Sequence, residues 1–142
     1  MLSQDISLNI MKKIYIRVKK MPKRIMIVDD EPHICEAVKI TLEAEGFKVL
    51  TALSGPECLE KLKSESVDML LIDFFMPEMN GRELCAKIRK EPRLMSLPVA
   101  FLTVAQFGGI GREKLRKLNV ADYISKPFDN EELVKRVKRI CK

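Results

Sequence analysis

The sequence predicts an α/β domain, a doubly wound five-stranded parallel sheet with helices on both faces, occupying residues 24–142. Three observations lead there. From Ile25 onward, short apolar runs alternate with amphipathic stretches, the signature of repeated strand–helix units. Several of the runs are continuous rather than alternating in polarity, as suits parallel strands buried on both faces. The stretches between them carry helix start and stop signals at helical spacing.

Taken in order, the first run, 25–28, ends in Asp29-Asp30. Pro32 then suits the first turn of a helix whose apolar stripe is Ile34, Val38, Thr41 and Leu42, with Gly46 as its stop. The second run is 49–52. Ser54 with Glu57 forms a capping box ahead of Leu59 and Leu62. The third run, 67–72, leads into Asp73 and a turn marked by Pro77 and Gly81. Asn80 with Glu83 opens a helix carrying Leu84 and Ile88, which ends before Pro92. The fourth run, 99–104, contains Thr103. The helical segment after it, 106–118, is weaker, because Gly108, Gly109 and Gly111 each disfavour helix by ~1 kcal/mol relative to alanine. Its ordered part is expected from Arg112, with Leu115 and Leu118 inward, and a loosely held element there is a candidate moving part. The fifth run, 121–125, ends in Lys126-Pro127. Asp129 with Glu132 starts the last helix, whose buried stripe is Leu133, Val137 and Ile140.

Composition narrows the function classes. At 142 residues, 46% of them apolar, the chain fits one domain with a single core. No apolar run approaches the length of a membrane span. The N-terminus does not read as a signal peptide: Ser7 and Asn9 interrupt its apolar residues, and Lys12-Lys13 follow them instead of preceding them. A cytoplasmic protein without membrane contact is therefore expected. The four cysteines, Cys35, Cys58, Cys85 and Cys141, lie far apart within helical segments and read as small buried hydrophobes of a reducing compartment. The net charge is +6, but residues 1–24 hold seven basic groups and one acid, while the remaining 19 basic and 19 acidic groups balance. A neutral globular part argues against nucleic-acid contact. Residues 1–23 read as a basic leader, either a flexible or surface-lying arm or a start-site artefact, since Met21-Pro22-Lys23-Arg24 resembles a natural beginning. A strand over Ile14-Tyr15-Ile16-Arg17-Val18 is the other reading.

In a doubly wound sheet, right-handed crossovers place ligands outside the carboxyl ends of the strands. Asp29, Asp30, Asp73, Thr103 and Lys126 all fall there. Adjacent carboxylates in a cleft repel by ~4 kcal/mol at 4 Å in an effective dielectric near 20. They call for a cation, and with oxygen ligands alone Mg²⁺ is the natural candidate. Calcium competes for such oxygens, but no calcium-loop pattern is present. With the ion bound, Asp73 is placed as a carboxylate nucleophile toward phosphorus, Lys126 supplies a positive charge, and the Thr103 hydroxyl can bond a phosphoryl oxygen.

Four pieces carry a family resemblance: Ile27-Val28-Asp29-Asp30-Glu31, the stretch from Leu71 through Asp73 and Met76-Pro77 to Gly81, Phe101-Leu102-Thr103, and Asp122-Tyr123-Ile124-Ser125-Lys126-Pro127-Phe128. In this order and at these intervals they resemble the receiver domain of two-component response regulators, of the stand-alone, chemotaxis-regulator kind. The resemblance implies a flavodoxin-like (βα)5 fold with strand order 2-1-3-4-5. It also implies that Asp73 is the phosphoacceptor, that Asp29, Asp30 and Asp73 with the backbone carbonyl of Phe75 hold Mg²⁺, and that Lys126 binds the phosphoryl group. The Lys126–Pro127 bond is expected to be cis, and Thr103 with Tyr123 to form the switch pair. The implied partners are a sensor histidine kinase and a protein target bound at the face of the domain's fourth helix, fifth strand and fifth helix, with homodimerisation left open. Such a domain is not an enzyme in its own right; it promotes only its own phosphorylation and dephosphorylation.

Two residues depart from the family pattern. Val104 stands where alanine or glycine is usual, and Phe75 is bulky two positions beyond the phosphoacceptor. Both are expected to shield the acyl phosphate and lengthen the signal. Because the chain stops at Lys142, directly after the last helix, its output is expected to pass through contacts of the domain itself. Two alternatives remain: a relay carrier that passes the group from Asp73 to a histidine phosphotransfer protein, and an Asp-nucleophile phosphatase for small molecules. The second lacks an acid at Phe75 and a cap domain.

Overall fold

The structure, a computed structural model, describes residues 2–104 and 116–142, with side chains from residue 6 onward. Most of the expected fourth helical segment, including Gly108, Gly109, Gly111, Arg112 and Leu115, lies outside the described residues. Leu118, near its end, packs against the core as expected.

Five parallel strands form one sheet: β1 (Arg24–Val28), β2 (Lys48–Ala52), β3 (Met69–Asp73), β4 (Val99–Thr103) and β5 (Asp122–Ser125), in the order β2-β1-β3-β4-β5. The described helices are α1 (Leu2–Lys20), α2 (Pro32–Glu43), α3 (Gly55–Leu62), α4 (Gly81–Lys90) and α5 (Asn130–Ile140). Residues 2–20, read as an arm or a strand, thus form a helix.

Period-two alternation splits the strands' side chains between two core layers. Met26, Val28, Leu70, Ile72, Val99 and Phe101 face α3 and α4, which contribute Cys58, Leu62, Leu84 and Ile88. Ile25, Ile27, Met69, Leu71, Ala100 and Leu102 face α2 and α5, which contribute Val38, Leu42, Leu133 and Val137. All five residues of β3 and of β4 are buried, which explains their unbroken apolar runs. Three of the cysteines are buried and all four are free.

The caps follow the sequence, with local shifts. Asn80 and Glu83 form a reciprocal capping box. The Ser54 hydroxyl accepts from the Glu57 amide, but the Glu57 carboxylate reaches the amide of Leu53 instead of Ser54. Asp129 accepts from the amide of Glu131 rather than Glu132. Gly46, at φ +94°, ends the α2 turn in a conformation that favours glycine.

Two arginines hold the β4–β5 edge. Arg136 on α5 pairs with Asp122 at 2.9 Å and donates to the Tyr123 carbonyl at 3.3 Å. Arg89 on α4 donates to the carbonyls of Leu94 and Leu97 before β4, at 3.3 and 2.7 Å, and to that of Leu118 before β5, at 2.8 Å. One guanidinium thereby positions the entries of both strands. We expect Arg89→Ala to lower stability by about 2 kcal/mol, since several half-buried carbonyls lose a charged donor together. Urea unfolding measures this, and an unchanged midpoint would refute the staple.

Candidate functional site

The pairing of β1 with β3 builds the centre of the site. Val28 lies opposite Ile72, so the next residues, Asp29 and Asp73, leave the sheet side by side. Asp29 is fully buried and Asp73 nearly so, whereas Asp30 is exposed. Each of the three carboxylates offers an oxygen, and those oxygens lie within 4.8 Å of one another.

Lysine arrives from the other flank. The Lys126 amide donates to the Thr103 carbonyl at 2.8 Å, extending the β4–β5 ladder by one bond. Its Nζ then lies 2.7 Å from Asp29 Oδ2 and 3.4 Å from Asp73 Oδ1. The Lys126–Pro127 bond is cis, as expected. Thr103, buried at the end of β4, follows Leu102, which lies opposite Asp73. Backbone amides complete the cage: that of Glu31 donates to Asp29 Oδ1 at 3.0 Å, and that of Phe75 to Asp73 Oδ1 at 3.4 Å. His33 stays at the surface beside Glu31.

Electrostatically the pocket is unbalanced, with one ammonium facing two buried carboxylates and a third at the rim. Burial, reinforced by the charge of Asp29, pushes the Asp73 carboxyl up to about 6, against the opposing pull of Lys126 and the Phe75 amide. For Lys126, burial favours the neutral amine, but the hydrogen bond and charge of Asp29 and then the charge of Asp73 outweigh it and raise its pKa. Surplus negative charge and an all-oxygen donor set fit a hard divalent cation of the Mg²⁺ type.

Sequence reasoning missed three contributors. Phe74 and Phe101 link the site to Tyr123 through ring contacts: Phe75 to Phe74 at 4.9 Å, Phe74 to Phe101 at 5.3 Å, and Phe101 to Tyr123 at 5.9 Å. Strand period alone places Phe101 on the face of Thr103, a signal that was available. Gly81 is the third. A Cβ there would stand 2.8 Å from the Asp73 carbonyl oxygen and 2.9 Å from Phe74 Cα, so only glycine lets α4 abut the end of β3. Its amide donates to the Phe74 carbonyl at 2.9 Å.

A family model described as the response regulator receiver domain matches residues 25–138. The transcriptional regulatory protein CrdR of Helicobacter pylori is 39% identical over 119 residues, covering 84% of this chain and 55% of its own length. The phosphate regulon transcriptional regulatory protein PhoB of Rhizobium meliloti is 36% identical over 124 residues, covering 86% and 53%. The chain thus spans about half the length of the curated relatives it matches. Among solved structures, the chemotaxis protein CheY4 of Vibrio cholerae superposes with a TM-score of 0.79 at 28% identity, over 84% of this chain and 98% of that one. The signal receiver domain of a signal transduction histidine kinase from Syntrophus aciditrophicus gives 0.75 at 30% identity, over 84% and 89%.

The raised Asp73 carboxyl has a consequence for the metal-free protein. Between about pH 4 and 6 Asp73 binds more proton in the folded state than in the unfolded state, so its contribution to stability falls as pH rises through this window. Asp73→Asn is expected to abolish that fall and to be more stable at pH 7 by on the order of 1–3 kcal/mol. Thermal unfolding in chelator across the window tests this; parallel profiles for both proteins would contradict it.

Proposed function

The chain belongs to the response regulator receiver domain family of two-component signalling, and on that premise we propose that Asp73 accepts a phosphoryl group from a sensor histidine kinase and thereby switches a protein-binding surface. The observation that carries this reading is the convergence of Asp29, Asp30 and Asp73 within 4.8 Å, with Lys126 at 2.7 and 3.4 Å from two of them. Mg²⁺ held by these carboxylates and the backbone carbonyl of Phe75 would offset their repulsion and neutralise charge on the transferring phosphoryl oxygens. A free Asp73 oxygen attacks phosphorus, the bond from phosphorus to the kinase histidine breaks, and its electron pair returns to the imidazole.

Lys126 starts paired to Asp29. As negative charge arrives on Asp73, its Nζ is near enough to follow the phosphoryl oxygens. The Thr103 hydroxyl, at the end of the neighbouring strand, then bonds one of those oxygens. Tyr123 is partly exposed on β5 and touches Phe101, so an inward turn of its ring would follow the movement of Thr103 on the next strand. The outcome is a population shift that remodels the face carrying β5 and α5; the expected fourth helical segment of that face lies mostly outside the described residues. CrdR and PhoB carry transcriptional regulation in their names; this chain's own output is proposed to be a protein contact at that face.

Asp73→Asn is expected to abolish phosphoryl uptake from a histidine kinase or from acetyl phosphate, and chelation of Mg²⁺ to do the same to the unaltered protein. Phosphate-affinity electrophoresis reads both, and retained uptake in the variant would overturn the assignment. Phe75 and Val104 are both exposed, at 51% and 71%, next in sequence to the acceptor loop and to Thr103 respectively. Val104→Ala and Phe75→Asn should each shorten the phosphoryl lifetime severalfold by admitting water; lifetimes equal to that of the unaltered protein would end the shielding idea.

A further inference from the structure

The N-terminal helix has a property that the signalling reading does not use. Every described side chain of α1, from Ile6 to Lys20, is exposed, and none belongs to either core layer. At 100° per residue, Leu8, Ile10, Met11, Ile14, Tyr15 and Val18 fall within an arc of about 160°, and each is half or more exposed. Lys12, Lys13, Arg17, Lys19 and Lys20 fill the opposite arc, interrupted by Ile16 and Ile6 among the described apolar side chains. Asp5 is the one acid before Asp29. Helix formation thus sorts a mixed sequence into an apolar face and a strongly basic one.

We propose that α1 lies flat on an anionic lipid bilayer and tethers the receiver domain there. The charge distribution selects this occupant. The rest of the chain beyond residue 24 is neutral, so the whole net charge of +6 sits on and beside this helix. An anionic bilayer takes both faces at once: the apolar arc enters the boundary of the acyl chains while the lysines meet the headgroups. A second copy is a poorer partner. Leu8, Met11, Tyr15 and Val18 do recur at coiled-coil spacing, but pairing would oppose two +6 segments with no acid to match Lys12 or Lys19. Nucleic acid would satisfy the charge and leave the apolar arc in water. No helix among the described residues is long and apolar enough to cross a membrane, so α1 itself does not span. Membrane contact, which the sequence reading did not expect, is therefore made at the surface and not through a span.

The test uses the full chain and flotation with vesicles of neutral phosphatidylcholine, with or without roughly one third phosphatidylglycerol. Binding to the anionic vesicles is expected to be at least about tenfold tighter. Ile14→Asp should weaken it about tenfold, and the triple change Lys12→Glu, Lys13→Glu, Lys19→Glu should abolish it. Both variants should keep the thermal unfolding midpoint, since neither touches the core. Failure of the full chain to float would overturn the proposal. So would binding indifferent to Ile14→Asp, tighter binding to duplex DNA than to the vesicles, or a dimer in light scattering that Ile14→Asp dissociates.

Discussion

One half-buried ammonium shared between two buried carboxylates is the constraint around which the molecule is arranged. Lys126 contacts Asp29 at 2.7 Å and Asp73 at 3.4 Å. Removing charges from water costs several kcal/mol per ion, so the cluster persists only because backbone amides and the lysine compensate most of it. The compensation is incomplete, and the remainder is visible as the raised carboxyl of Asp73. An acidic pocket left short of positive charge is a site that favours either a cation or a neutralised acid. That same shortfall makes the carboxylate sensitive to whatever arrives beside it.

The sheet creates this tension by geometry. Parallel strands deliver every carboxyl end to one rim, and the register of β1 against β3 puts Asp29 beside Asp73 before any side chain is chosen. The opposite flank depends on longer reaches. Arg89 fixes the entries to β4 and β5 from a helix on one face of the sheet, and Arg136 ties β5 from a helix on the other. The position of Lys126 relative to the acids thus depends on two arginines whose own bonds are made away from the pocket.

Much of this was legible in the sequence, because strand runs, caps and strand-end residues are local signals. Continuous apolar runs located all five strands to within about two residues. The exceptions arise where a distant partner decides. β3 begins at Met69 and not at residue 67, while Asp68 turns its carboxylate to the Arg24 amide, forty-four positions away. Phe74 and Gly81 act through contacts between separate elements, which a one-dimensional pattern does not display, whereas strand period does place Phe101 on the face of Thr103. Over residues 14–18 a strand is the alternative to a surface-lying arm: three β-branched residues and a tyrosine suit a strand, yet the described structure is helical there.

Gly81 also sets a direction. With a Cβ-sized gap closed at 2.8 Å and an amide bonded to Phe74, the start of α4 is butted against the end of β3 with no slack between them. The opposite flank carries Val104 and Tyr123, both open to solvent. A displacement begun at Asp73 would therefore be resisted where α4 abuts β3, while the flank of β4 and β5 presents exposed side chains.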